Sequence, residues 1–159
     1  MMAPRGGLRE EIAQTRPFHS TGQEAVLALW RTADVLRRVA AQVVEPHGIT
    51  LQQYNVLRIL RGAEPEGLPT LTIAGRMIER APGITRMIDR LETKGLVFRE
   101  RRPADRRCVH CRITSKGLSL LGGLDAVVDR ADDEAVTGLT REEQRQLIHL
   151  LDAVRAAHR

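Results

Sequence analysis

Aromatic side chains are scarce in this chain of 159 residues: one Trp, one Tyr and two Phe. Carbohydrate clefts and single-strand nucleic-acid platforms depend on exposed aromatic faces, so both are disfavoured. Two cysteines cannot frame a disulfide scaffold. No apolar run approaches the ~20 residues of a membrane span. The opening stretch MMAPRGGLREEIAQTRPFH mixes Pro, Gly and charge where a signal peptide has an apolar centre. The sequence also lacks a nucleophile–base pair, a Gly-rich phosphate loop and a metal-ligand cluster, so neither an enzyme nor a cofactor is expected. What remains is a cytoplasmic, soluble protein of one domain, with length enough for a helical dimerisation extension.

Charge is present, and it is concentrated. Between Arg76 and Lys116 stand twelve Lys/Arg against five Asp/Glu, a net +7, whereas the whole chain is +5. A basic block on a near-neutral body is the electrostatic footprint of a nucleic-acid binder, although a solvated basic surface has the same composition.

Residues 1–19 read as a flexible arm, disordered or loosely docked, whose basic residues could touch DNA but are expected to be solvated. Thr21-Gly-Gln-Glu24 spells a capping box, and a long helix follows with Val26, Leu29, Trp30, Ala33, Leu36, Ala40, Val43 and Val44 on one face. Leu27, Val35 and Val39 widen that face beyond a single stripe, which calls for more than one neighbour. Pro46 and Gly48 end the helix. Thr50-Leu-Gln-Gln53 is a second capping box, with Ile49 and Tyr54 placed as a hydrophobic staple. A short buried helix then runs to Arg61. Leu68-Pro-Thr is a candidate strand, with Thr70 as a candidate N-cap.

Two short helices fit the next stretch, at about 71–78 and 82–94. Ile73, Ala74 and Met77 face inward on the first; Ile84, Met87, Ile88 and Leu91 do so on the second. Pro82 suits a first helical turn, and Gly95 suits a left-handed C-terminus. Two such helices across a tight turn make a helix-turn-helix, whose second helix enters the major groove. Its outer side carries Gly83, Thr85, Arg86, Asp89 and Arg90. Thr85 suits a phosphate or a thymine methyl, and Arg86 suits guanine O6 and N7. A β-hairpin follows, Leu96–Arg101 against Cys108–Ile113, around a loop at Pro103-Ala-Asp-Arg-Arg107. Five arginines lie in 99–107, and a wing arginine fits the electronegative minor groove.

The segment Gly83-Ile-Thr-Arg-Met-Ile-Asp-Arg-Leu-Glu-Thr-Lys-Gly-Leu-Val97, then Asp105-Arg-Arg107, then Ile113-Thr-Ser-Lys-Gly117 resembles the MarR family of winged-helix regulators. Ile113 stands where that family usually has Leu. The resemblance implies a mainly α fold with a small β-hairpin (α+β), a winged helix-turn-helix joined to a helical dimerisation region. It implies a homodimeric regulator, commonly a repressor, on a pseudo-palindromic stretch of double-stranded DNA. Arg107 would enter the minor groove and Asp105 would hold it by a salt bridge. The candidate DNA contacts are Thr72, Pro82, Gly83, Thr85, Arg86, Arg90, Arg102, Asp105, Arg106 and Arg107. The family often binds a small-molecule effector between dimer helices and winged domain; Trp30, Tyr54 and Arg58 are candidates for its border, or else core aromatics and a surface arginine.

Thr114 caps the next helix, whose stripe is Leu118, Leu121, Leu124, Val127, Val128 and Ala131. Gly122-Gly123 in its midst costs ~1 kcal/mol per residue relative to Ala and marks a bend or a close helix crossing. Thr140-Arg-Glu-Glu143 is a third capping box, and Leu147, Leu150, Leu151, Val154 and Ala157 line the last helix. The expected organisation is an arm (1–19), a dimerisation helix (20–47), the winged domain (49–113) and C-terminal dimerisation helices (114–159). Cys108 and Cys111 would point to opposite faces of one strand, which suits structural thiols; basic neighbours leave a redox-sensing thiol as the other reading. A winged helix used for protein–protein contact is the alternative to DNA binding, but it would favour an apolar or acidic outer face.

Overall fold

The computed structural model describes residues 7–80, 82–102 and 105–158, the side chains of 102 and 105–108 excepted. The chain divides into two compact units at Val39/Ala40.

The first unit holds α1 (Leu8–Glu11) and most of α2 (Thr21–Val44). Its described arm is organised locally. The Arg9 guanidinium donates to the carbonyls of Gln14 and Thr15, at 3.1 and 2.7 Å, and Glu11 pairs with Arg31 at 2.8 Å. The helix cap lies one residue before the expected Thr21. Ser20 Oγ accepts from the Gln23 N–H at 3.1 Å, and Gln23 Oε1 accepts from the His19 N–H at 2.8 Å. Ser and Thr are comparable caps, so two adjacent candidates are separated only by where the chain enters the helix. Trp30 on α2 is 69% exposed, and Val26 and Leu36 are exposed as well.

The second unit is the winged domain with its C-terminal helices. A 3-10 turn, Glu45–His47, closes α2, and Gly48 reverses the chain at φ 78°. The Thr50 capping box forms as expected and opens α3 (Leu51–Arg61). Ile49 and Tyr54, the staple pair, are both buried. Then come β1 (Leu68–Pro69), α4 (Thr70–Arg76), α5 (Ile84–Thr93), β2 (Val97–Arg102), β3 (Asp105–Ile113), α6 (Ser115–Ala135) and α7 (Arg141–Ala156). The sheet has three antiparallel strands in the order β1-β3-β2, so the hairpin gains an edge strand. Leu68 pairs with Cys111 and Pro69 with His110. A proline is tolerated there because an edge strand has one side without a partner.

Boundaries at α4 and at the wing also differ from the sequence expectation. Thr70 is the first residue of α4 and Pro69 is its N-cap; the Thr70 hydroxyl instead meets Cys111 Sγ at 3.6 Å. The first helix of the pair stops at Arg76, not 78. Met77 turns extended at ψ 138°, and Asn55 Oδ1 accepts the Ile78 N–H at 3.0 Å. The wing loop is shorter than expected. The backbone of Asp105, Arg106 and Arg107 belongs to β3, and the β2–β3 register shifts between Arg101 and Arg102 of β2.

The core joins α3, α4, α5, the sheet and α6 through Leu57, Leu60, Ile73, Ile88, Leu91, Val97, Leu121 and Leu124. Burying one such side chain contributes roughly 1.5–3 kcal/mol. Arg61 forks onto Asp125, Nη1 and Nη2 at 2.8 and 3.0 Å, and ties α3 to α6. That hydrogen bond holds the Asp125 carboxyl below its ordinary range. α6 is capped by Thr114, whose hydroxyl accepts from the Gly117 N–H. It runs through Gly122-Gly123 as one element, and a Cβ at either glycine would meet nothing within 4 Å. α7 opens on the Thr140 box and leaves Leu147, Ile148, Leu150 and Val154 exposed. No helix among the described residues is long and apolar enough to cross a membrane.

Candidate nucleic-acid interface

The helix-turn-helix is built from α4 and α5. Gly83 is the N-cap of α5 and sits at φ 86°, ψ 32°. A residue with a Cβ is strained in that left-handed region, so the glycine is there for its backbone. Space is not the reason, because a Cβ would meet nothing within 4 Å. Pro82 therefore lies in the turn before the helix, not in its first turn as the sequence suggested. Ile88 and Leu91 are fully buried, which fixes the rotation of α5. Gly83, Thr85, Arg86, Asp89 and Arg90 are consequently all exposed. Neither Arg86 nor Arg90 has an ion-pair partner among the described residues. Thr72 is half-buried in the first turns of α4.

Polar contacts fix the far end of α5. Gly95 reverses the chain at φ 69°. Lys94 Nζ donates to the Gly48 carbonyl and, at 3.3 Å, to Gln53 Oε1. Lys116 Nζ donates to the Lys94 carbonyl and the Thr114 hydroxyl to the Gly95 carbonyl, both at 2.8 Å. Arg99 on β2 reaches back to the helix. Its guanidinium donates to Asp89 Oδ1 at 2.6 Å and to Glu92 Oε2, and its backbone N–H donates to Glu92 Oε1 at 3.0 Å. Burial works against the Arg99 charge, but the bonds to Asp89 and Glu92 outweigh it and its pKa is raised. Arg99 and Lys94 are not among the residues that helical periodicity singles out. The available signal was charge complementarity across the Gly95 turn, with Asp89 and Glu92 before it and Arg99 after it.

In the wing, the backbone pairs Arg102 with Asp105. The side chains of Arg102, Asp105, Arg106, Arg107 and Cys108, all singled out from the sequence, lie outside the described residues.

The chain matches the MarR family profile over residues 49–109, from the Thr50 cap through most of β3. The HTH-type transcriptional regulator TtmR of Methylorubrum extorquens (strain PA1) is 30% identical over 153 residues, covering 96% of this chain and 76% of that protein. This chain belongs to the MarR family. A MarR transcription factor from Planctomyces limnophilus shares 42% identity at a TM-score of 0.65, over 86% of this chain and 99% of its own. The PcaV regulator of Streptomyces coelicolor, solved with its natural ligand, shares 25% identity at a TM-score of 0.76, over 91% of this chain and 100% of its own. The protein is thus a DNA-binding transcriptional regulator, and its named relatives are regulators, not enzymes.

Within this MarR fold the remaining candidates separate. The Tyr54 ring is buried, and its hydroxyl accepts from Arg58 Nη1 at 3.0 Å. The Arg58 guanidinium also lies 5.7 Å from the ring centroid. Tyr54 and Arg58 thus form one pair on α3, while Trp30 is an exposed residue of the first unit. Cys111 is buried in the core, where a thiol behaves as a small apolar group. Among the described residues no cluster of His, Cys, Asp or Glu could hold a metal ion.

Proposed function

We propose that this MarR protein is a cytoplasmic homodimeric repressor that reads a pseudo-palindromic operator and releases it when a small molecule or a redox signal binds or reacts. The observation that carries the DNA-reading part is the outer face of α5. Thr85, Arg86 and Arg90 are exposed there without ion-pair partners among the described residues, on a helix whose opposite side buries Ile88 and Leu91 completely. Such a helix presents an Arg fork to guanine O6 and N7 in the major groove. The arginine-rich wing beside it suits the minor groove, with Arg107 as the inserted side chain and Asp105 as its partner. Thr72, Pro82, Arg102 and Arg106 flank these readers as phosphate contacts.

Dimerisation rests on surface that this chain alone leaves open: Trp30 and Leu36 on α2, and Leu147, Ile148, Leu150 and Val154 on α7. A two-fold pair of winged domains would meet half-sites about one helical turn of DNA apart. Effector control rests on the ligand-bound PcaV relative and on the paired Tyr54 and Arg58, with Trp30 as the third candidate. Redox control would act through Cys108, because Cys111 is buried.

The test is an electrophoretic shift on DNA from upstream of its own gene. Arg86→Ala should weaken binding by about 1–3 kcal/mol, the scale of one bidentate base contact. Arg107→Ala should weaken it too, and affinity should fall steeply with salt through counterion release. Both variants should keep the parent's mass in size-exclusion chromatography. Parent-like binding by Arg107→Ala would remove the wing assignment.

A further inference from the structure

Asp89 poses an electrostatic problem. It is exposed on the same side of α5 as Thr85, Arg86 and Arg90, where a carboxylate would repel DNA phosphates. Glu92 stands one turn further along and is also partly exposed. Both carboxylates converge on a single group, the guanidinium of Arg99, which comes from the first strand of the wing. The Arg99 side chain is only 25% exposed, against 55% for Asp89. The fork is held by three contacts: two from the guanidinium and one from its own backbone N–H. It differs in kind from Arg86 and Arg90, which are exposed on the helix itself.

We infer that Arg99 is a positioning residue for DNA reading: it masks the Asp89 and Glu92 charges on the recognition face and locks the wing strand to the recognition helix. This rests on the reading of α5 as the reader helix. Two consequences follow from one side chain. Removing Arg99 uncovers two negative charges beside the DNA path, which weakens binding to duplex of any sequence. It also frees the wing to shift against the helix, so the major-groove and minor-groove contacts no longer register together and the preference for operator over scrambled DNA declines. The two carboxylates are not equivalent. Glu92 accepts from the strand's backbone as well as from the guanidinium, so its larger part is to hold the strand. Asp89 accepts from the guanidinium alone among the contacts to β2, so its part is the charge.

The experiment measures fluorescence anisotropy of two labelled duplexes, one from DNA upstream of the protein's own gene and one scrambled, at low and high salt. Arg99→Gln should lose roughly two- to fivefold in affinity, the scale of one partly exposed charge pair. The loss should shrink at high salt, where screening dims the uncovered carboxylates. Asp89→Asn placed in the Arg99→Gln protein should restore most of the scrambled-duplex affinity, which a purely structural role for Arg99 would not allow. Asp89→Asn alone, a change at an exposed site that leaves the core intact, should bind both duplexes more tightly than the parent. Parent-like binding by a folded Arg99→Gln protein would overturn the inference, as would failure of Asp89→Asn to restore affinity in it. Weaker operator binding by Asp89→Asn alone would also overturn it, because Asp89 would then be reading a cytosine N4 itself. Arg86→Ala on the same duplexes keeps the premise separate: if it binds like the parent, the reader-helix assignment falls; if it weakens binding and Arg99→Gln does not, only the masking role falls.

Discussion

Gly117→Ala should destabilise this protein although Ala is the better helix former. Gly117 lies in the first turn of α6 and is buried. An added Cβ would sit 2.5 Å from the Leu96 carbonyl oxygen and 2.6 Å from Ile113 Cγ1, where ordinary contact begins at 3.4 Å. The helix and the strand entry must therefore part by about 0.9 Å, the difference between 3.4 and 2.5 Å. What has to move is backbone, and it is already engaged: the Leu96 carbonyl accepts from the Thr114 N–H at 3.0 Å. Overpacking of this kind costs about 1–3 kcal/mol, and weakening the buried hydrogen bond adds about 1 kcal/mol. The gain in helix propensity returns at most ~1 kcal/mol. The net loss is therefore roughly 1–3 kcal/mol, which lowers the melting temperature by about 3–10 °C in a chain of this size. Thermal melts of parent and variant at one protein concentration measure it, since self-association makes a melting temperature concentration-dependent. DNA affinity should fall alongside, because the same junction fixes the end of α5 through Thr114 and Lys116. A variant melting within ~1 °C of the parent would show that α6 can slide off β2 freely, and the close approach would not be the reason for glycine.

Further outcomes can be measured with the same material. Thr50→Ala removes the hydroxyl that accepts from the Gln53 N–H, and should cost ~1 kcal/mol in urea unfolding. Asp125 has a folded pKa lowered from 3.8 by its hydrogen bond to Arg61. The stability it contributes is present above that ordinary value and is lost as pH falls through the lower folded value, because the unfolded chain takes up the proton first. Urea unfolding from neutral pH downward should show this increment in the parent and not in Asp125→Asn; the pair is partly exposed, so it is worth no more than ~1 kcal/mol. Cys111, fully buried, should resist iodoacetamide in the native protein and react on unfolding, as read by peptide mass spectrometry.

Much of the architecture was legible because it depends on local chemistry. The Thr50 and Thr140 boxes formed where the spacing of hydroxyl and amide or carboxyl placed them. The buried side of α5 followed from Ile84, Met87, Ile88 and Leu91 at helical spacing, and Gly95 adopted the left-handed backbone its position called for. Less legible were choices between equivalent neighbours. Ser20 and Thr21 can both cap a helix, and the entry path selected Ser20. Thr70 had the right chemistry for a cap, but Pro69 was held in the edge strand by pairing with His110, so the cap fell there. Pro82 was expected inside α5 because proline suits a first turn. The left-handed Gly83 after it is the N-cap, and the helix starts two residues after the proline, at Ile84.

The candidate site divides in the same way. Thr85, Arg86 and Arg90 could be named from periodicity, since a residue's outward direction on a helix follows once the buried stripe is known. The sequence by itself determined the order of elements, the stripe and the basic segment, because each is set by residues a few positions apart. Only the tertiary structure decided that Arg99 closes onto Asp89 and Glu92, that Lys94 anchors α5 to the Gly48 turn, that Arg61 clamps Asp125, and that a methyl at position 117 has no room. Those contacts join residues brought together by the packing of separate elements, and a pairing of that kind is fixed by distance in space, which spacing along the chain does not encode.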